Sequence, residues 1–185
     1  MVSEHASLPG GMREENREVF YATEPVITAG AREIAFLKER AAGNPRLRSR
    51  LCTHPDPGAS VHEMLIVHHR DVYVRPHHHV DKSESFHVIE GSALVVLFDL
   101  DGTMREVIPV GDPKTGRAFY YRMPDAIPHT FLIESEWLVF HETTGGPFEP
   151  GKTHFESWSP DDSDRKVVDA YLNDLRRRTQ AFRAA

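Results

Sequence analysis

"VYVRPHHHVDKSESFHVIEG", Val72–Gly91, carries four of the chain's twelve histidines in a stretch that otherwise has the alternation of β-structure. The residues of interest in it are His77, His78, His79, Glu84 and His87. The histidine run is internal, short and flanked by apolar alternation, which argues against a purification tag. Three interpretations remain: a solvated loop, histidines on a sheet surface, and a metal site.

Strand alternation divides these histidines into two groups. Successive side chains of a β-strand point to opposite faces, so His77 and His79 share one face and His78 points the other way. In the next strand, Glu84 and His87 likewise lie on opposite faces. If the loop "VDKS" brings Glu84 beside His77 and His79, three potential ligands converge inside a barrel mouth. His78 and His87 then lie outside that set.

The same alternation places Tyr73 and Arg75 on the face of His77. Arg75 could anchor a carboxylate or phosphate through its paired guanidinium donors, or it could form an ion pair with Glu90 or another strand neighbour. Tyr73 could donate a proton or support a sugar ring, or it could simply line the barrel. Both are candidate substrate-binding residues.

A fourth metal ligand is expected from a later part of the chain. "YRMPDAIPHTFLIES" places His129 directly after a proline-rich turn and at the head of an apolar strand. A rigid turn orients such a side chain in advance. His77, His79, Glu84 and His129 together are a donor set that suits Fe, Mn, Ni, Co, Cu or Zn.

Short β-segments separated by turn sequences fill the chain from Arg46 onward. Eight or nine such strands with few helices between them predict an antiparallel sandwich or barrel. Turn chemistry in "HPDPG", "DLDG", "GDPKTG", "MPDAIP" and "TTGGP" separates them. The segments are "LRSRLCT", "HEMLIVHH", "VYVRP", "SFHVIEG", "ALVVLFDL", "MREVIPV", "AFYYRM", "HTFLIES" and "WLVFHET".

Helices are predicted on either side of this β-region. Helical spacing of apolar residues predicts a helix from about Ala29 to Ala42, with Gly43 at its C-terminal end. A closing helix is predicted from Ser159 as N-cap, with Pro160 in the first position. We therefore divide the chain into an N-terminal arm and helix (1–45), a barrel (46–158) and a C-terminal helix (159–185). Residues 1 to about 17 are expected to be disordered or an extended arm.

Composition limits the classes of partner. The 185 residues carry a formal net charge of -6, which gives no support to nucleic-acid binding. No apolar run is long enough to span a bilayer, and the first residues lack the apolar core of a signal peptide, so a cytoplasmic protein is expected. Cys52 is the only cysteine, which excludes an intramolecular disulfide and a cysteine-based zinc site.

The spacing of the candidate ligands resembles the two motifs of the cupin superfamily. The first motif, G(X)5HXH(X)3-4E(X)6G, maps onto Asp71, His77, His79, Glu84 and Gly91, with Asp71 in place of glycine. The second, G(X)5PXG(X)2H(X)3N, maps onto Pro124, Ala126 and His129, with Ala126 and Ile133 in place of glycine and asparagine. The resemblance implies an all-β fold, the cupin double-stranded β-helix or jelly-roll barrel, here with short flanking helices.

A narrower resemblance covers roughly residues 44 to 162. "NPRLRSRLCTHPDPGASVHEMLIV", "VRPHHHVDKSESFHVIEGSALVVLFDLDG", "IPHTF" and "GGPFEPGKTHFESWSPDD" look, in order, like the WbuC-type cupins. These bacterial metalloproteins are encoded near surface-polysaccharide and O-antigen genes, and their reaction is not established. The resemblance implies a small polar ligand such as a carbohydrate, and Arg75, as a fixed cation beside a Lewis-acid metal, favours one with an anionic end. It also implies a homodimer, in which the N-terminal segment could add a strand to the neighbour.

Two kinds of function fit these observations. One is a metal-dependent enzyme that isomerises or epimerises a sugar or sugar-nucleotide intermediate, with an iron-dependent dioxygenase as a variant on the same ligands. The other is a non-catalytic, metal-containing module that binds a metabolite. No acid or base besides the metal ligands can be placed from the sequence, so the choice stays open.

Overall fold

Residues 9–124 and 126–184, which this computed structural model describes, form twelve strands, two α-helices and two single turns of 3-10 helix. The strands of the first half are β1 (Met12–Glu14), β2 (Val19–Ala22), β3 (Arg48–Cys52), β4 (Val61–His69), β5 (His77–His79) and β6 (Glu84–Glu90). Those of the second half are β7 (Ser92–Phe98), β8 (Met104–Gly111), β9 (Tyr120–Met123), β10 (His129–Ile133), β11 (Trp137–Gly145) and β12 (Thr153–Phe155). The helices are α1 (Ala31–Ala42) and α2 (Arg165–Ala184).

The strands form two sheets. The larger has seven strands in the order β1-β2-β3-β4-β11-β6-β9, and the smaller has five in the order β12-β5-β10-β7-β8. Their pairings are antiparallel apart from the parallel pair β2–β3. Sequence neighbours such as β5 and β6 lie in different sheets, so the chain crosses repeatedly from one sheet to the other. This crossing produces a jelly-roll barrel.

The main core lies between the two sheets. Phe86, Val88 and Phe140 from the larger sheet pack against Val95 and Phe131 from the smaller one. These residues alternate with outward-facing neighbours along their strands, as expected when one face of each sheet is buried. The predicted fold class, an all-β jelly-roll barrel with flanking helices, is confirmed.

Helix α1 covers the outer face of the larger sheet. Phe36 and Leu37 are buried there in a second apolar cluster with Phe20 and Val67. The helix begins two residues later than predicted, because the side chain of Glu33 accepts a hydrogen bond from the Gly30 backbone N–H (2.9 Å) and makes Gly30 the N-cap. Its end at Ala42 agrees with the prediction.

Helix α2 packs on the outer face of the smaller sheet, where Leu172 and Leu175 are buried. The prediction that this helix starts at Ser159 is wrong. Asp164 caps it, since its carboxylate accepts from the Lys166 N–H (2.9 Å). Ser159 is buried instead, and its hydroxyl donates to the Glu156 carbonyl. Neither helix of the described part is long and apolar enough to cross a membrane.

The N-terminal arm is partly ordered as a hairpin. Strand β1 pairs with β2, and β2 then pairs in parallel with β3 of its own barrel. Within this chain the N-terminal segment thus extends the larger sheet of its own barrel, and a strand added to a neighbouring subunit stays a prediction. Residues 1–8, which also belong to the predicted arm, lie outside the described residues.

Candidate metal centre

Three predicted histidine ligands meet inside the barrel. His77 and His79 lie on β5, and His129 begins the adjacent strand β10, where it pairs directly with His77. Each offers a ring nitrogen, and the three nitrogens lie within 4.8 Å of one another. This cluster could hold a metal ion, as the HXH spacing and strand alternation predict.

Glu84 joins the cluster from the opposite sheet. Its Oε2 lies 3.2 Å from His79 Nε2, and its Oε1 lies 3.0 Å from His129 Nε2. Glu84 is buried at the start of β6, where it pairs with Thr144 of β11. The four residues predicted as ligands are thus brought together: two come from β5, one from β10 and one from β6.

Hydrogen bonds on the far side of each ring orient the imidazoles. Nδ1 of His77 lies 2.8 Å from the Arg75 carbonyl, and Nδ1 of His129 lies 2.9 Å from the Ile127 carbonyl. Because a carbonyl only accepts, both Nδ1 atoms must carry the proton. In the neutral rings, Nε2 is then the free lone pair. Nδ1 of His79 is held by the Thr153 hydroxyl at 3.1 Å.

The buried Nε2 of His129 makes no hydrogen bond of good geometry, although Glu84 lies 3.0 Å away. A buried polar atom without a hydrogen bond carries a free-energy cost unless something else satisfies it. A divalent cation between the rings and the carboxylate would do so. The donor set and its outer hydrogen bonds therefore fit a metal ion.

Charges within the cluster move the pKa values in opposite directions. Burial alone would raise the pKa of Glu84, but His129 and His79 outweigh it and hold this pKa well below its ordinary value. Burial would lower the pKa of His129, but Glu84 outweighs it and raises the value. For His77, burial dominates and lowers the pKa to about 3. Glu84 is thus kept ionised and His77 neutral, the forms in which both bind metals.

The other two histidines of the run point away from the cluster, as alternation predicts. His78 contacts Glu156 through Nδ1 (2.6 Å) and stacks on His154. His87 is exposed on the outer face of β6.

The prediction that Tyr73 and Arg75 line the barrel beside His77 is wrong. The Tyr73 hydroxyl donates to the Pro160 carbonyl (2.7 Å), and Arg75 reaches the Glu156 carbonyl (3.3 Å), so both face the segment before α2. Residues 72–76 are not part of a strand. Pro76 cannot donate to a ladder, and the alternation shifts by one residue there. Val74 consequently faces the interior in place of its two neighbours.

The cluster lies in a cavity of about 430 Å³ inside the barrel, and the sequence-based prediction missed several of its charged residues. Glu142 faces this cavity from β11, where it pairs with the core residue Phe86. The sequence offers one clue to Glu142: it lies two residues after Phe140, so strand alternation puts its carboxylate on the same apolar face. Burial and then the charge of Glu84 raise the pKa of Glu142. Arg50 and Lys82 also line the cavity.

Tyr121 is a further missed neighbour of the cluster. Its hydroxyl lies 3.4 Å from Glu84 Oε1, and burial followed by the charge of Glu84 raises its pKa well above the ordinary value. Tyr121 therefore stays protonated and acts as a donor towards the carboxylate.

His68 makes the fold sensitive to acid. Burial, helped by the charges of Arg48 and Arg50, lowers its pKa to about 3, against about 6.5 in an unfolded chain. Between these values the unfolded chain binds a proton that the folded chain does not, so the free energy of unfolding falls as the pH falls. The loss is about 2 kcal/mol between about pH 7 and about pH 5.

Urea unfolding at those two pH values checks this expectation. His68→Leu should show a pH-dependent loss smaller than that of the wild type by about 2 kcal/mol. His87→Gln removes an exposed histidine and should keep the wild-type loss. An unchanged pH dependence in His68→Leu would show that His68 is not the group responsible.

Comparison with known proteins finds one matching family model, whose role is unassigned. Residues 30–110 match the model of a domain of unknown function, DUF6016. No curated protein matches the chain.

Several solved structures are similar at low identity. A PAC13 mutant from Streptomyces, determined with uridine, has a TM-score of 0.46 and 16% identity over 64% of this chain and 89% of that one. The capsular polysaccharide assembling protein CapF from Staphylococcus aureus has a TM-score of 0.45 and 17% identity, over 58% of this chain and 29% of that one. An oxalate decarboxylase mutant from Bacillus subtilis has a TM-score of 0.45 and 19% identity, over 58% of this chain and 27% of that one. The chain thus spans under a third of the latter two proteins, and their reactions are not transferred to it.

Proposed function

We propose that this chain is a metal-dependent cupin enzyme that isomerises or epimerises a small sugar or sugar-nucleotide intermediate of surface-polysaccharide metabolism, of the O-antigen type. His77, His79, Glu84 and His129 hold one divalent ion, drawn from Fe, Mn, Ni, Co, Cu and Zn. The resemblance to the WbuC-type cupins supports the metabolic setting. The arrangement of the imidazoles supports the metal.

The observation that carries the proposal is the tautomer imposed on the histidines. Two backbone carbonyls fix the proton of His77 and His129 on Nδ1, which leaves both Nε2 lone pairs free within the cluster, where that of His129 lies 3.0 Å from Glu84 Oε1. A simple structural role needs no such convergence, and it leaves the buried Nε2 of His129 without a hydrogen bond. When bound, the metal supplies a Lewis acid that polarises a substrate carbonyl oxygen.

Glu142 is the residue suited to move a proton. It lies in the same cavity as the cluster, and burial raises its pKa, the direction that suits a general base near neutral pH. A carboxyl group of this kind can remove a proton from a carbon next to a carbonyl and return it. Return of the proton to the former carbonyl carbon isomerises the sugar, whereas epimerisation needs a second group that delivers a proton to the opposite face of the first carbon.

Exchange of this proton with solvent tests the reaction without knowledge of the product. The Co²⁺-loaded protein is incubated in D₂O with glucuronate and with glucose 6-phosphate, and deuterium next to the carbonyl carbon is followed by NMR. We expect incorporation that stops on chelation. It should fall by about 100-fold or more in Glu142→Gln, since a general base contributes about 10² to 10⁴-fold. Glu142→Gln should still bind Co²⁺.

Two other outcomes would replace this proposal. Oxygen consumption by the Fe²⁺-loaded protein, with no deuterium incorporation, would identify an iron-dependent dioxygenase. Ligand binding with neither exchange nor oxygen consumption would identify a non-catalytic metabolite-binding module.

A further inference from the structure

The charged residues of the cavity are unevenly paired. Arg13 forms an ion pair with Glu15, and Arg48 forms one with Glu18 (3.0 Å). Arg50 also lines the cavity, yet it forms no salt bridge with any residue of the described ranges. Lys82 likewise lines the cavity without a salt bridge in that part of the chain. Within the described residues these two cations therefore lack a carboxylate at ion-pair distance, although Arg50 hydrogen-bonds Cys52, and both can meet an anionic ligand.

Strand register orders the site along the barrel. Glu84 pairs with Thr144 at the metal end, and Glu142 is the next residue on the same face of β11. Phe140 is the following residue on that face. It pairs with Ile66 of β4, which also pairs with Arg50, so Phe140 and Arg50 lie in one row of paired residues across the sheet. Successive residues on one face are about 6.6 Å apart. Glu142 thus lies between the metal ligands and Arg50.

The Arg50 side chain is directed back towards the row of Glu142. Burial raises the pKa of the Cys52 thiol, and the charge and hydrogen bond of Arg50 oppose that rise. Cys52 lies on the row of Glu142 because both pair with Met64. The same guanidinium charge also opposes the rise in the pKa of Glu142, which is caused by burial and by Glu84.

The charges favour an anionic ligand once a metal is present. The carboxylates of Glu84 and Glu142 are balanced by Arg50 and Lys82, so a divalent ion leaves at least two excess positive charges around the cavity. Excess positive charge in a cavity attracts an anion, and the exposed Arg50 side chain is accessible to one that enters from solvent. The cavity volume of about 430 Å³ is near the lower end of the roughly 300–1,000 Å³ of small-molecule sites, which suits a single sugar ring.

We propose that Arg50 is the anion anchor of this cavity and holds the carboxylate or phosphate of a monosaccharide-sized ligand. Hydroxyl or carbonyl oxygens at the other end of the ligand face the metal ligands, with Glu142 between the two ends. The inference rests on the proposed metal site and gives it a substrate class. It also moves the anchoring role from Arg75, which faces away from the cavity, to a residue on β3.

Ligand binding to the Co²⁺-loaded full chain tests this role. Co²⁺ affinity is measured first by calorimetry, for the wild type, Arg50→Gln, Arg50→Lys and Arg75→Gln. Glucuronate, glucose 6-phosphate and uncharged glucose are then titrated, with thermal shift as a second readout. The wild type should bind the two acids at least about tenfold more tightly than glucose, as expected for charge-assisted hydrogen bonds. The tighter of the two acids identifies a carboxylate or a phosphate site.

Arg50→Gln should lose at least about tenfold in affinity for the preferred acid while keeping wild-type Co²⁺ affinity. Arg50→Lys should recover part of that loss, and Arg75→Gln should match the wild type. Equal acid affinity in Arg50→Gln and Arg75→Gln would overturn the anchor, as would glucose binding as tightly as the acids. A wild type that binds no Co²⁺ would overturn the metal site instead, so the two failures are distinguishable.

Discussion

Replacing His79 with alanine is expected to weaken Co²⁺ binding by more than about 100-fold. Losing an outer-shell partner alone costs about 10 to 100-fold in metal affinity, and His79 would be a direct ligand. Its Nε2 faces Glu84 while its Nδ1 is held by Thr153. His77→Ala, Glu84→Ala and His129→Ala should have effects of similar size. Calorimetric titration of the metal-free protein measures each one.

His78→Ala is the matched control, because it removes the adjacent imidazole from the same strand. His78 is directed to Glu156 and His154, away from the cluster. Its loss should change Co²⁺ affinity by less than about threefold, since an imidazole outside the site leaves the ligand charges unchanged. Equal losses in His78→Ala and His79→Ala would contradict the strand register on which the site depends.

Gly91→Ala is expected to reduce the free energy of unfolding by about 3 kcal/mol or more. Gly91 turns the chain from β6 to β7 with φ of +87°, a conformation that costs other residues about 1–2 kcal/mol. An added Cβ would also lie 2.1 Å from the Trp137 carbonyl oxygen and 2.4 Å from Ser135 Oγ. The turn must therefore open, which disturbs the β6–β11 pairing. Urea unfolding at neutral pH measures the loss.

Gly116→Ala separates the cost of the positive φ from the cost of the steric clash. Gly116 also has a positive φ, +70°, but an added Cβ there would meet no heavy atom within 4 Å. This variant should lose only the conformational part, about 1–2 kcal/mol. If both alanine variants are equally stable, the close approach of β11 to the Gly91 turn is not as described.

The barrel and the convergence of the four candidate ligands could be predicted because both depend on local patterns. Apolar alternation and turn residues mark most strands, and HXH followed by a carboxylate places donors on one face. The sequence also indicates His129 as a candidate ligand, because this residue directly follows a proline-rich turn and begins an apolar strand. The predicted homodimer, the domain boundaries and the cytoplasmic location stay predictions.

The substrate residues were harder to predict because they depend on contacts between distant strands. The alternation of β5, extended backwards through Pro76, predicts that Tyr73 and Arg75 face the cavity, but no ladder maintains that alternation before Pro76. Arg50 faces the cavity because β3 pairs with β4, and the sequence alone does not specify that pairing. Helix α2 starts later than the sequence predicts for a local reason. The Asp161 carboxylate accepts from the Ser163 N–H in a turn, and only then does Asp164 cap the helix.

X-ray absorption of the Co²⁺-loaded protein tests the metal centre most directly, because it counts the ligands of the bound ion. We expect one ion per chain with three imidazole nitrogens and one carboxylate oxygen, at distances of about 2.0–2.2 Å. In His79→Ala the count should fall to two imidazoles, and in His78→Ala it should stay at three. An ion bound without imidazole nitrogens, or a wild-type chain that binds no ion, would contradict the account.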